Sequence, residues 1–349
     1  MTATEPITAD PNDPAWHEAR RTFIGASDAP AVLGISPWAT PLDVWADKLN
    51  LGQRFEGNLS TDMGHALEDL IAQLWWKTQP TEYRYLVDPK VTVRHPEHPH
   101  IAASVDRAVA ERAVQCDHGL ILRALRHGTA TDLVECKYVG PNVAHQWRDG
   151  VPVYVQAQCQ VQMAVTGAKR VHVAALIVDY GPQFFTAAIE RDDAVIDEII
   201  GRLNQFWAEH IETQQRPDID PAWNAHKVSD ALARIYASPE PGAAVRLPSA
   251  LGELIAQRKH TKALVKDLEG QLEQIDNELR AALGDATEGF IDDNAKPAVT
   301  WRPQTRSKWD VTAILAGKVE GFTGDEIATA AKVLRAVETT ATTRVLRVA

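Results

Sequence analysis

Apolar positions in the first 215 residues switch repeatedly between a helical period and a strand period. A helix is expected near residues 13–21, followed by the tight stretch Ile24-Gly25-Ala26-Ser27-Asp28. A short helix of small residues then ends at Leu33-Gly34, and Pro37-Trp38 marks a turn. Helices are predicted over 41–49 and 61–77, the second with Leu67, Leu70, Ile71 and Leu74 at helical spacing. Strands are predicted at 83–93, 101–109, 131–138 and 170–179, with a helix over 154–166 between the last two. An extended run ending at Ile189 and a helix over 192–213 complete this part.

Pro217, Pro221, Pro239 and Pro241 then punctuate a stretch of low periodicity, so 216–245 reads as a linker. Residues 246–285 follow as a coiled-coil helix. Leu251, Leu254, Arg258, Thr261, Val265, Leu268, Leu272, Ile275, Leu279 and Ala282 succeed one another at 3-4 spacing, and Gly284 ends the run. Residues 286–349 suggest a small α+β region: a hairpin around 292–297, one or two helices, and a closing strand at 343–348. The expected fold class is therefore α/β, a core over 1–215 with a central mixed sheet flanked by helices, plus a C-terminal coiled coil or helical hairpin and a small α+β extension.

Composition narrows the class without naming it. With 45% hydrophobic and 24% charged residues, the chain is neither disordered throughout nor built to live in a bilayer. No apolar stretch approaches the ~20 residues of a membrane span, and the first residues show no signal peptide, so the expected compartment is the cytoplasm. Cys116, Cys136 and Cys159 lack the spacing of a disulfide framework or a paired zinc motif. A net charge of −11 argues against non-specific coating of nucleic acid, though not against a local basic channel.

The candidate chemistry centres on Asp106 and the run Leu133-Val134-Glu135-Cys136-Lys137. Glu135 and Lys137 are two apart in a strand and leave the same face. Two carboxylates can bind Mg²⁺ through hard oxygens, the Cys136 carbonyl can add a ligand, and a lysine can orient or deprotonate the attacking water. An acid-x-Lys triplet alone is a weak signal, because a surface strand with an ordinary ion pair has the same pattern. Other features agree with it. Glu68 lies on a helix among apolar residues, and Tyr154, Gln158 and Gln162 share one helix face. Gln156, Gln158, Gln160 and Gln162 alternate with apolar residues, an odd composition for a merely exposed surface.

The order of motifs carries a resemblance. Arg20-Arg21-Thr22-Phe23-Ile24-Gly25-Ala26-Ser27-Asp28, Leu33-Gly34-Ile35-Ser36-Pro37-Trp38, Met63-Gly64 with Glu68, Ser104-Val105-Asp106, Glu135-Cys136-Lys137 and Gln158-Cys159-Gln160-Val161-Gln162 follow one another. The sequence resembles the YqaJ viral recombinase family, relatives of lambda exonuclease within the PD-(D/E)xK nuclease superfamily, over residues 14–213. The resemblance implies a restriction-endonuclease-like core and a Mg²⁺-dependent DNA exonuclease, with Mn²⁺ as a substitute ion. It implies 5′→3′ action on double-stranded DNA ends and 3′ single strands for phage-type recombination. By position, Asp106, Glu135 and Glu68 match the metal carboxylates, Lys137 the catalytic lysine, and Gln158 the following glutamine, with Gln160 left open by the register. Arg20 or Arg21, with Ser27, matches the region receiving a DNA 5′-phosphate, and Tyr154 is placed beside the DNA. A ring-like homo-oligomer, a trimer, and a single-strand annealing recombinase as partner are also implied. Val105 departs from the usual proline, and the segment between Asp106 and Glu135 is long.

Competing readings are an endonuclease or structure-specific nuclease of the same superfamily, and a non-catalytic DNA-binding or assembly protein on the same scaffold. The run His95-Pro96-Glu97-His98-Pro99-His100 reads as a solvated loop and not as a zinc site, since two prolines spoil a converging scaffold. Trp301–Trp309 holds three cations and no acid, suited either to a hairpin arm or to unpaired bases.

Overall fold

A computed structural model describes residues 14–53, 57–79, 85–110, 130–238, 240, 242–291, 296–303, 323, 325 and 327–329. The chain divides into two units, Met1–Pro239 and Glu240–Ala349. No helix among the described residues is long and apolar enough to cross a membrane.

The first unit opens with helix α1 (Pro14–Arg20), strand β1 (Ile24–Gly25), and helices α2 (Ala29–Val32), α3 (Pro41–Lys48) and α4 (Leu59–Thr78). Prolines at the first turn and side-chain caps start the longer helices: Thr40 with Asp43 closes a capping box on α3, and Asn58 accepts from Ser60 and Thr61 on α4. A five-stranded sheet follows, in the order β2 (Tyr85–Val87), β5 (Arg107–Ala110), β6 (Ala130–Val139), β7 (Arg170–Val178), β8 (Pro182–Glu190). It is mixed: β6 and β7 are parallel, and the other neighbours are antiparallel. Helix α5 (Pro141–Ala144), a 3₁₀ turn (His145–Trp147) and helix α6 (Val153–Thr166) make the crossover that a parallel pair requires.

Both faces of this sheet are covered. Leu133, Val171, Val173 and Ala175 meet Val155, Cys159 and Met163 of α6 in the main core. On the other face Ile71 and Trp75 of α4 pack on Val109, Val134 and Ala174. Trp75 thus belongs to the core, one turn after Ile71 on the same helix face.

Three expectations require correction. The single strand over 101–109 is two: β4 (Ile101–Ser104) pairs with β1 and β3 (Thr92–Arg94) in a separate three-stranded sheet, whereas β5 begins at Arg107. Asp106 therefore lies at a junction between sheets, not within the central one. The helix expected over 192–213 is α-helical only as α7 (Asp193–Phe206), and continues as a π-helical turn, Trp207–Glu212, with Trp207 stacked on His100 at 5.2 Å. The expected linker is also not bare. Helix α8 (Ala225–Ile235), capped by Asn224, buries Val228 and Ala231 against Leu42 of α3, and Arg234 pairs with Asp43. Gly52 permits this closeness: its φ is +71°, and a Cβ there would stand 2.3 Å from the Arg234 carbonyl.

The second unit contains helix α9 (Leu251–Leu283), stopped by Gly284 at φ +54°, and a hairpin of β9 (Glu288–Gly289) and β10 (Val299–Thr300). The heptad segment is one helix with no buried residue among those described. The closing strand at 343–348 and most of the cationic strip after Trp301 lie outside the described residues.

Candidate functional site

The site grows from the place where the two sheets part. The β5–β6 ladder ends at Arg107 opposite Val134. Two residues further along β6 the Cys136 N–H donates to Asp106 Oδ2 at 2.8 Å. A strand residue presents its N–H and C=O to the same neighbour, so the Cys136 carbonyl also faces the parting. Side-chain capture of this N–H both breaks the long strand in two and fixes Asp106 against β6.

Glu135 and Lys137 leave β6 on the α6 face, as their spacing requires. Glu135 is buried, yet both its oxygens are partnered. Oε1 accepts from Lys137 Nζ at 2.5 Å and from Gln158 Nε2 at 2.7 Å, and Oε2 accepts from Gln162 Nε2 at 2.6 Å. The Gln158 Oε1 accepts from Lys137 at 3.0 Å, closing a triangle of three side chains. Gln162 also donates to the Ser104 carbonyl at 3.3 Å, linking β4 to Glu135. Gln160 faces elsewhere: it donates to the Glu190 carbonyl and accepts from the Asp192 N–H. The helix register thus selects Gln158 over Gln160. Tyr154, one turn earlier on the same face, is half-buried and lies within electrostatic reach of Lys137.

Glu68 reaches the same region from α4, on the opposite face of the sheet. It does not close a ring with Asp106 and Glu135: Arg107 takes it in an ion pair of 2.6 Å and reaches Asp69 with its other nitrogen. Among the described residues no group of three or more His, Cys, Asp or Glu stands ready as a cation cage. The charge distribution nevertheless favours a cation. Burial, and then the charges of Glu135 and Glu68, push the Asp106 carboxyl well above its usual range. Burial opposes the charge on Lys137, but Glu135 and Asp106 outweigh it and raise the lysine, keeping it protonated. One lysine thus stands against clustered carboxylates, a donor set of hard oxygens suited to a hard divalent cation. Asp106, Glu135 and the Cys136 carbonyl are the groups that could hold the ion, with Glu68 available if Arg107 releases it.

Beside β1 lies a second polar cluster. Arg20 donates to Ser27 Oγ at 3.2 Å and to Asp28 Oδ1 at 2.6 Å, and buried Lys48 reaches Asp28 Oδ2 at 2.8 Å. Burial disfavours the Asp28 anion, but Arg20 and Lys48 together prevail and hold its carboxyl far below the normal range. Arg20, not Arg21, makes the contact with Ser27. The His95–His100 run is the expected connection between β3 and β4. Two members of these networks have roles that sequence does not assign: Gln162, expected only on the face shared with Tyr154 and Gln158, tethers Glu135, and Arg107 holds Glu68. The i+4 step from Gln158 to Gln162 was the visible signal for the first.

Comparison with known proteins places these residues in context. The family model for the YqaJ-like viral recombinase domain matches residues 15–169. The uncharacterised YqaJ protein of Bacillus subtilis is 29% identical over 300 residues, covering 84% of this chain and 85% of that protein. Among solved structures, the alkaline exonuclease of Laribacter hongkongensis is 24% identical and covers 58% of this chain and 94% of its own, with a TM-score of 0.43. A phage-related exonuclease from Haemophilus somnus is 15% identical, covering 60% and 92%, with a TM-score of 0.37.

Proposed function

Since residues 15–169 form a YqaJ-like viral recombinase domain, we propose that this chain is a divalent-metal-dependent DNA exonuclease acting 5′→3′ on duplex ends. The observation that carries the reading is the meeting of Asp106 with the Cys136 N–H at 2.8 Å, directly beside the Glu135–Lys137–Gln158 triangle.

A Mg²⁺ ion held by Asp106, Glu135 and the Cys136 carbonyl would supply Lewis-acid stabilisation of charge on the phosphoryl oxygens. The protein's own groups do the rest. Lys137, kept protonated by its carboxylate neighbours, donates a hydrogen bond that orients the attacking water. Gln158 sets the position of the Lys137 ammonium, and Gln162 keeps Glu135 from rotating. Arg20 and Ser27 supply a guanidinium and a hydroxyl suited to a terminal 5′-phosphate. On this reading the product 3′ strand passes to a single-strand annealing recombinase, and the cores assemble as a ring-like trimer.

The test is digestion of a linear duplex labelled at one 5′ end beside a covalently closed circle, with Mg²⁺ or with a chelator. Release of labelled mononucleotide from the linear DNA, with an intact circle and no reaction in chelator, is the expected result. Cutting of the circle would replace the exonuclease reading by an endonuclease. No cleavage under any divalent ion would favour a non-catalytic DNA-binding protein.

A further inference from the structure

Helix α9 carries an apolar stripe that its described surroundings leave open: Leu268, Leu272 and Ile275 are 61%, 59% and 55% exposed. Thirty-three residues give a helix about 50 Å long. Continuous apolar exposure of this kind marks an interaction surface.

Two independent features say what covers it. Charge along α9 reverses at Lys266-Asp267. Before that junction four cations, Arg258, Lys259, Lys262 and Lys266, stand against Glu253 alone; after it five acids stand against Arg280 alone. The seam itself is symmetric about the same junction. Leu254 and Leu279 are equidistant from it, as are Arg258 and Ile275, and Val265 and Leu268. A parallel partner would set the basic halves side by side and stack two Arg258 guanidiniums within the seam. An antiparallel partner lays each basic half along an acidic half. Arg258 then faces Ile275, with Asp276 next in line to receive its charge, and Lys262 approaches Glu269.

We propose that α9 pairs with α9 of a second copy of this chain as an antiparallel two-stranded coiled coil centred on the Lys266–Asp267 junction. The polar residues Arg258 and Thr261, which would weaken a parallel seam, here fix orientation and register, the best-attested use of polar seam positions. Pairing through α9 is separate from any assembly of the nuclease cores and does not depend on catalysis.

The test uses the full chain with Leu254→Cys or Leu279→Cys, each alone and mixed in equal amounts, under mild oxidation. The unsubstituted protein sets the background from its native cysteines. The two positions are 25 residues, about 37 Å, apart along the helix, so only opposed helices bring them together. A disulfide-linked dimer from the mixture, and none above background from either variant alone, is the expected result. A dimer from Leu254→Cys alone would show a parallel pair, and no dimer from the mixture would show another occupant; either overturns the proposal. Arg258→Glu should raise the dimer dissociation constant at least tenfold, and adding Asp276→Lys should restore it. Unchanged association in Arg258→Glu would equally count against the pairing.

Discussion

Arg107 and Glu68 face each other across a 2.6 Å ion pair that joins the first residue of β5 to the middle of α4. The guanidinium is almost wholly buried and Glu68 is one-third exposed, so the pair is partly screened by solvent. Arg107→Ala should lower stability by about 1–2 kcal/mol, less than a fully buried pair, as measured by urea unfolding. Arg107→Lys should recover only part of this, because a single ammonium cannot span Glu68 and Asp69 as a planar fork does. An alanine variant as stable as the parent would make the pair incidental.

Gln162 holds the buried Glu135 carboxylate by a hydrogen bond of 2.6 Å. Removing its amide by Gln162→Leu strands a buried Glu135 oxygen, a cost of about 1–3 kcal/mol. If that cost falls on the reacting geometry, kcat drops about 10- to 100-fold with little change in KM. A kcat within twofold of the parent would show that Gln158 and Lys137 alone suffice.

If, as proposed, lysine acts on the water and the carboxylates hold the ion, Lys137→Ala should abolish cleavage while leaving DNA and Mg²⁺ binding largely intact. Asp106→Ala should lose both. Isothermal titration with Mg²⁺ separates the two; retained Mg²⁺ binding in Asp106→Ala would remove it from the ion's ligands.

Asp28 predicts a pH effect on folding. Its folded carboxyl lies below the ordinary value of about 3.9. Its stabilisation is therefore complete above that value and is lost as the pH falls through the acid range toward the folded pKa. Asp28→Asn should flatten the fall in stability below about pH 4 while costing about 3 kcal/mol at neutrality. Thermal unfolding between acid and neutral pH checks both; parallel profiles for parent and variant would exclude Asp28 as the titrating group.

Much of the core was legible because burial imposes strong periods. Leu133, Val171 and Val173 read as strand, and Leu67 with Ile71 as part of one helix stripe, and they pack accordingly, whereas Leu70 of that stripe stands exposed. The division between β4 and β5 was not legible, since Ile101 to Val109 is apolar enough for one strand and the break depends on a long-range bond from Cys136 to Asp106. Helix α8 carries Val228, Ala231, Leu232 and Ile235 at helical spacing on its inner face, but the flanking prolines make the stretch read as a linker. At the candidate site, spacing places Glu135 with Lys137 on one strand face and Gln158 with Gln162 on one helix face, and the fold brings the two faces together. That Glu68 answers to Arg107 required the fold, because the two are 39 positions apart.

The parallel pairing of β6 with β7 runs from Asp132–Arg170 to Val139–Ile177. Such a pair cannot close as a hairpin; it waits for the α6 crossover, and non-local pairing of this kind forms slowly. A chain still emerging from the ribosome, with Asp106 and Glu135 already made but β7 not yet exposed, therefore holds both carboxylates without the sheet that aligns them. On the proposed mechanism such a chain would not cleave until β7, which ends at Val178, has joined the sheet.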